Sequence, residues 1–566
     1  MARADSNYLR DNIATLKSDL AAGDTAAAAH LVAAMQSKAA AAHDRTSGPA
    51  WWIGAKLGYL GRPFAAERAQ SALLDEVAHS ALPAVLRAGE ALNPTTLRTG
   101  RDQIDLTKLQ AAVPVLQAAQ TATDAVARRS MSLPGTSWLS FVNHDRTTLV
   151  TDLATLRSRV TDLLTASRLL PAALGETGTR RYFVAFETDS EARGIGGLPG
   201  AYAILQARNG QVSFTRFGSD VDLSHARSHV NLGRAFADHY GAQYAPQQVF
   251  YNSDASPNFP YAARIWMGMW QDRFHQRLDG AIATDPAALS ALLGAVGPVR
   301  LSDGSLIGSG NAVEFFENSI YQVFAGNNNA RKTYLVDASK AVARKVLGAS
   351  SGDLVATASA MRSAVSQGRL LAYTSDPTIE STLRATPLGG VLPQTTRPFL
   401  GVVINNSSGT KLDYYLDRSV TYTRASCTSR DVTVGVTLHN TAPNHGLAPI
   451  VLGRGPGVAP PEPHIGEEGL VLSVFGTQGS QVRTVSVNGH TGFFESGTEL
   501  GHPVTSVHLN INSGQTITTT FNVADPPATG PLLVHTQPAA RPTHTTIHAP
   551  QCPTQRTSTA QGSPAG

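Results

Sequence analysis

The hydrophobic period changes twice along the chain, and those changes limit the folds open to it more than any motif does. Residues 7–170 carry apolar side chains at helical spacing, in Ala-rich segments such as LRDNIATLKSDLAAGDTAAAAHLVAAMQSKAAAA and TTLVTDLATLRSRVTDLLTASRLL. A helical bundle or stalk over residues 1–170 is expected, with GPAWWIGAKLGYLGRP as a connector in which Trp51 and Trp52 pack. From 178 to 400 apolar strands alternate with helices, the pattern of an α/β layer. In LDGAIATDPAALSALLGAVGPV a short strand ends at Thr284, Asp285 can cap the following helix, Pro286 suits its first turn and Gly297 ends it. Two further helices are expected at 311–325 and 331–347, then a strand in RLLAYTSD. Beyond about residue 400 the helical period disappears: Val432, Val434, Val436 and Leu438 alternate on one face, which predicts an antiparallel β-sandwich over 401–553. The fold class is therefore multidomain α + α/β + β, in a chain of 566 residues that is long enough for several cores. The last thirty residues, rich in Pro, Thr, Ser, Gln and Ala, predict a disordered tail that includes 554–566.

Charge and cysteine usage narrow the function classes. Lys and Arg number 46 against 42 Asp and Glu, a net +4 with no concentrated basic tract, so no nucleic-acid partner is expected. Cys427 and Cys552, 125 positions apart, bracket the β-rich region. One long-range disulfide and an oxidising, extracytoplasmic compartment are one reading; two reduced core thiols in a cytosolic protein are the other. No run approaches the roughly 18 apolar residues that a membrane helix needs, and the first residues lack the apolar core of a signal peptide. Either the protein is cytosolic, or Met1 lies downstream of a membrane anchor.

The segment RRYFVAFETDSEARGIGGLPGAYAILQARNGQ places polar and glycine residues between YFVAFE and AYAILQA, both apolar enough for central strands. Ligands of α/β folds gather at sheet ends, where backbone amides and short loops converge. Asp189, Glu191 and Arg193, followed by Gly194, Gly196, Gly197 and Gly200, could hold a metal ion and an anionic group together. The alternative is a glycine-shaped turn whose charges are solvated or paired with each other. No phosphate-binding glycine-lysine loop, GxSxG elbow, HExxH helix or complete dinucleotide fingerprint occurs, and His544 and His548 fall in a Pro/Thr-rich strand or loop, where their spacing is fortuitous.

YFVAFETDSEARGIGGLPGAYAILQARNGQ, SPNFPYAARIW, LDGAIATDPAALSALLGAVGPV and GVVINNSSGTKLDYYLDRSVTY, in that order across roughly residues 100–540, resemble domain of unknown function family 4012 of bacterial cell-envelope proteins. Glu187-Thr188-Asp189 stand where that family usually has Gln-Asn-Asn, while Glu191, Arg193, Gly196 and Gly197 are retained. The resemblance implies an extracytoplasmic protein of the cell envelope, membrane-anchored or secreted in its full-length form and held at the membrane surface by an anchor absent from this chain. More distantly, AFETDSEARG, the DGAIATDPAALSALLGAVGPV unit and the Arg-led ARKTYLVDASKAVARKVL are similar to the LytR-CpsA-Psr phosphotransferases, which move glycopolymers from a polyprenyl pyrophosphate carrier to peptidoglycan.

On that similarity Asp189 and Asp220 are the acidic residues near a divalent metal such as Mg²⁺ or an acceptor hydroxyl, and Arg193 and Arg331 hold the pyrophosphate, beside Gly196 and Gly197. Where those phosphotransferases carry an Arg immediately before an Asp, this chain has Gly218-Ser219 before Asp220, and Arg216 is the candidate to substitute. Two functions are implied. One is a glycopolymer phosphotransferase acting on a polyprenyl-pyrophosphate-linked glycan; the other is a catalytically silent envelope scaffold or glycan-binding protein with the same fold.

Overall fold

The computed structural model describes residues 2–100, 102–135, 137–350, 353–453 and 466–553, so the tail expected over 554–566 lies outside the described residues. The chain divides into two compact units: Met1–Arg180 with Ala207–Ser213 and Leu347–Val355, and Arg181–Gln206 with Phe214–Val346 and Ala356–Gly566.

The first unit is built mainly from the helices Ala2–Ala22, Thr25–Ser47, Gly58–Glu76, Leu82–Ala91, Leu106–Met131 and Ser140–Ala173. Asp24 and Asp105 start two of them by accepting from the amides of Ala27 (2.9 Å) and Lys108 (3.1 Å), donors that the first helical turn leaves without partners. Helix Thr25–Ser47 buries Ala28, Val32, Met35, Ala39, Ala42 and Thr46, a stripe at three- and four-residue intervals. Small residues in that stripe let neighbouring helices approach closely, and the buried Thr46 and Ser71 hydroxyls pair at 2.5 Å. The connector differs from expectation. Trp51 is half-buried and meets Phe64 edge-on at 5.3 Å, but Trp52 is 52% exposed, with the Lys56 ammonium 5.4 Å from its ring centroid. None of the described helices is long and apolar enough to cross a membrane.

The second unit opens with the strands β1 (Arg180–Arg193), β2 (Gly196–Arg208) and β3 (Gln211–Ser219), followed by β4 (Gly280–Thr284) and β5 (Leu370–Thr374). They lie in the order β3-β2-β1-β4-β5. β1 runs parallel to β4, Tyr182 opposite Gly280 and Phe186 opposite Thr284, whereas β4 and β5 are antiparallel. The crossover between β1 and β4 contains helix Phe259–Phe274, whose Trp266, Met269 and Trp270 join Phe183, Tyr202 and Phe250 in one aromatic core. Asp285 accepts from the Ala288 amide at 2.7 Å, Pro286 opens helix Pro286–Val296, and Gly297 closes it at φ +80°.

From Phe399 onward the unit is β-rich: β6 (Phe399–Asn406), β7 (Leu416–Arg424), β8 (Asp431–Asn440), β9 (Glu468–Phe475), β10 (Gln481–Val487), β11 (His490–Thr491), β12 (Glu495–Glu499), β13 (His502–Ile511), β14 (Thr516–Ala524), β15 (Leu533–Thr536) and β16 (Thr543–His548). A five-stranded sheet has the order β12-β13-β9-β6-β15 and a six-stranded sheet the order β11-β10-β14-β8-β7-β16. Leu400, Ile404, Leu472 and Val507 from the first share a core with Val420, Val434, Val436 and Phe521 from the second. The whole chain is thus a mixed α/β structure with several mixed and antiparallel sheets.

Two details correct the reading of the sequence. β15 and β16 join their sheets in parallel, against β6 and β7 respectively, so neither sheet is wholly antiparallel. β16 also falls within the Pro/Thr-rich last thirty residues, and this stretch is ordered because its backbone pairs with β7 from Arg418 to Thr423.

Candidate functional site

The polar insert is not a loop. β1 continues through it to Arg193, a two-residue turn at Gly194-Ile195 follows, and β2 begins at Gly196, with every residue from Tyr182 to Arg193 buried. The glycines serve contact rather than flexibility: a Cβ on Gly194 would stand 2.3 Å from the Ala255 carbonyl oxygen, and one on Gly197 would stand 2.3 Å from the Thr188 backbone. Ala192 belongs to the core shared by the two β-rich sheets, and its amide donates to Asp413 at 2.9 Å.

Arg193 was expected to be an anion ligand, and its surroundings assign it another role. Nε donates to the Tyr251 carbonyl (2.9 Å), one terminal nitrogen donates to the carbonyls of Ala192 (2.8 Å) and Asn406 (3.2 Å), and the other pairs with Glu191 at 3.3 Å. Only 3% of the residue is exposed, so the guanidinium fork is already occupied by protein acceptors. Burial alone would raise the Glu191 carboxyl, but Lys411 and Arg193 beside it outweigh that and hold it below its ordinary value. Gly196 likewise faces the Glu187 and Asp189 carboxyls, 3.2 and 3.4 Å from where a Cβ would stand.

Asp189 sits in a second buried network. Arg369 bridges it (3.1 Å) to Asp285 (2.5 Å), and Glu317 accepts from the Asp189 and Ser190 amides at 3.0 and 2.6 Å. Carboxyls outnumber cations here. Burial, with Asp285 and Glu317 adding repulsion, raises Asp189; burial pushes Glu317 up to about 7 and Asp254, whose two oxygens have no hydrogen-bond partner among the described residues, up to about 8. Glu187 is raised by burial and by the Asp254 charge. Asp220 belongs to neither network: it pairs with Lys332 at 2.5 Å. Asp189 and Asp220 therefore do not form the metal pair expected of them, and among the described residues no group of three or more His, Cys, Asp or Glu is arranged to hold a metal ion. His544 and His548 both lie on β16, where four residues of extended chain separate them by about 13 Å.

The cleft that does collect charge lies beside β1. It encloses about 240 Å³ and is lined by Thr188, Glu191, Asp220, Tyr321, Arg331, Lys332 and Lys411, with Leu198, Leu335 and Ile450 as apolar walls. Asn327 caps helix Asn328–Leu347 by accepting from the Ala330 amide at 3.0 Å, which places Arg331, Lys332 and Leu335 on the turns that face the cleft. Lys411 comes from the turn after β6 and pairs with Glu191, and Lys332 pairs with Asp220. Arg331 is different. It is 7% exposed, donates to the neutral Asn328 amide oxygen at 2.7 Å, lies 4.8 Å from the Tyr321 ring centroid, and makes no ion pair among the described residues. Burial pushes the Tyr321 phenol up to about 12, so it stays a neutral hydrogen-bond donor. Of the expected site residues, Glu191, Gly200, Asp220 and Arg331 share this cleft; Arg216 does not line it, its guanidinium lying 4.1 Å from the Phe274 ring centroid.

Sequence reasoning missed Lys411, Lys332 and Tyr321. Lys332 follows Arg331 directly and helical spacing could have found it, whereas Lys411 and Tyr321 reach the cleft only through tertiary structure. Cys427 and Cys552 form a disulfide, with Cα atoms 5.6 Å apart, which ties the segment after β7 to the residues after β16. No curated protein matches the chain. Residues 177–321, from just before β1 through the crossover to Tyr321, match the family described as "Protein of unknown function (DUF4012)", a narrower span than the sequence resemblance and less than half of the chain.

Proposed function

We propose that this is an extracytoplasmic cell-envelope protein that binds an anionic glycan carrier, of the polyprenyl-phosphate or pyrophosphate class, in the cleft beside β1. The observation that carries the reading is Arg331, a guanidinium almost removed from water that makes no ion pair among the described residues and feels only the charge of Glu191, which Lys411 and Arg193 already pair. Burying a charge without a counterion is costly, and a phosphate that accepts bidentately would offset that cost. Lys332 and Lys411 add positive charge, each already balanced by Asp220 or Glu191, so the cleft keeps a net charge of one cation for the ligand. Leu198, Leu335 and Ile450 offer an apolar wall to the first carbons of a lipid. The reading includes a LytR-CpsA-Psr-like α/β layer, a helical stalk before it and a C-terminal β-sandwich, and a disulfide that suits an oxidising compartment.

Binding is preferred to catalysis because Arg193, a residue that the transferase reading would use on pyrophosphate, is occupied by the protein. Transfer remains a second reading because Asp220 lines the same cleft as Arg331. There an acceptor hydroxyl would attack phosphorus, pass its proton to Asp220 and release polyprenyl phosphate as the anhydride bond breaks. The Asp189–Asp220 arrangement does not fit a metal ion, and no step is assigned to one. Titration calorimetry of the full chain with geranyl pyrophosphate and with inorganic pyrophosphate tests the binding reading: saturable binding of the first, tighter than the second, is expected, and no binding of either at millimolar concentration overturns it.

A further inference from the structure

The helical unit carries an apolar surface that its own core does not use. Helix Pro49–Ala55 and the start of helix Gly58–Glu76 fold back on each other at Lys56-Leu57. Glycines close this corner: Gly58 turns the chain at φ +56°, and a Cβ on Gly61 would stand 2.5 Å from the Gly54 carbonyl oxygen. The corner is therefore built into the helix packing. It displays Trp52, Ile53, Leu57, Tyr59, Leu60 and Phe64, each 40–64% exposed. So dense a run of large exposed apolar residues marks an interaction surface.

The charges of the corner have one sign. Lys56 stands 5.4 Å from the Trp52 ring centroid and Arg62 5.1 Å from that of Tyr59, and no Asp or Glu occurs from 46 to 66. Indole and phenol rings favour the headgroup level of a bilayer, aliphatic side chains favour the acyl boundary, and long basic side chains reach back to anionic headgroups. A second copy of the chain would fit poorly, since a two-fold contact through this corner sets Lys56 and Arg62 against their own counterparts. We infer that this corner inserts into the interface of an anionic lipid bilayer. This inference is independent of the ligand cleft and of any membrane-crossing anchor.

The test is sedimentation of the full chain with sucrose-loaded vesicles of phosphatidylcholine containing about 30% phosphatidylglycerol, an anionic lipid that basic side chains near the surface attract. The chain should pellet with these vesicles and bind at least about tenfold more weakly to pure phosphatidylcholine, at roughly fivefold for each of two cations. A Trp52→Ser, Leu57→Ser, Leu60→Ser triple variant should lose binding by at least about tenfold with its circular dichroism unchanged. Lys56→Gln with Arg62→Gln should remove the preference for phosphatidylglycerol. Brominated phosphatidylglycerol should also quench the tryptophan emission of the unmodified chain, a readout that needs no variant. A chain that stays in the supernatant at millimolar lipid, or a folded triple variant that binds as well as the original, overturns the inference. So does a dimer by light scattering that the triple variant dissociates, which would assign the corner to a second copy.

Discussion

Replacing Arg193 with Met separates a structural arginine from a ligand arginine. The substitution removes the Arg193 donor to the Tyr251 and Asn406 carbonyls and one of the two cations paired with Glu191. Breaking a buried ion pair costs about 3 to 5 kcal/mol, and Lys411, which still holds Glu191, favours the lower end of that range. Each carbonyl that loses this donor adds about 1 kcal/mol or more, for a total near 5 kcal/mol. In a unit of this size each kcal/mol moves the midpoint by roughly 2 °C, so Tm should fall by about 10 °C. Calorimetry gives the Tm, and titration with geranyl pyrophosphate well below it gives the affinity of the same preparation. Arg193→Lys should recover only part of the stability, because an ammonium cannot reproduce the guanidinium fork. A variant that melts within about 2 °C of the original, or one with intact Tm and affinity reduced tenfold or more, would refute the structural assignment.

Stability should also depend on pH in an unusual direction. Asp254 and Glu317 are raised to about 8 and about 7, so the folded state holds protons that the unfolded chain releases near pH 4. Their contribution is complete below the unfolded value and disappears as pH rises through 7 to 8, so Tm should be higher at about pH 5.5 than at about pH 8.5. Asp254→Asn should flatten that slope and raise Tm at the alkaline end; a Tm that rises from about pH 5.5 to 8.5 would show that these carboxyls are ionised throughout. Reducing the Cys427–Cys552 bond, which closes a loop of 125 residues, should destabilise the β-rich region by about 4 to 5 kcal/mol in the chain-entropy account, read as an earlier calorimetric transition with reductant. An unchanged transition after complete thiol labelling would show that strand pairing alone holds β16.

Local signals were legible in the sequence and remote ones were not. Asp285, Pro286 and Gly297 delimit a helix because a cap, a first-turn proline and a left-handed glycine act within a few residues of themselves. The alternation from Val432 to Leu438 fixed the buried face of β8 for the same reason. The parallel pairing of β16 with β7 leaves no such trace, since its partner lies more than a hundred residues away. The polar insert shows the limit most clearly. Seven consecutive residues from Glu187 to Arg193 can be buried only because Lys411, Asp413, Glu317 and Arg369 arrive from distant elements to satisfy them. From sequence, Arg193 is the principal candidate for an anion ligand and Arg331 a second one that only the resemblance implies. What separates them is that carbonyls and a carboxylate surround the first, while a neutral amide and an aromatic face surround the second.

The most direct test of the cleft is therefore the dissociation constant for geranyl pyrophosphate before and after Arg331→Gln, with Tm measured on both proteins. A charge-assisted contact is worth about 1.5 to 3 kcal/mol, so Kd should rise by roughly ten- to a hundredfold. Among the described residues Arg331 makes no ion pair whose loss would strand a carboxylate, and Tm should stay within about 2 °C. An unchanged Kd would contradict the claim that this guanidinium awaits an anion, and a large fall in Tm at constant Kd would assign it to the fold instead.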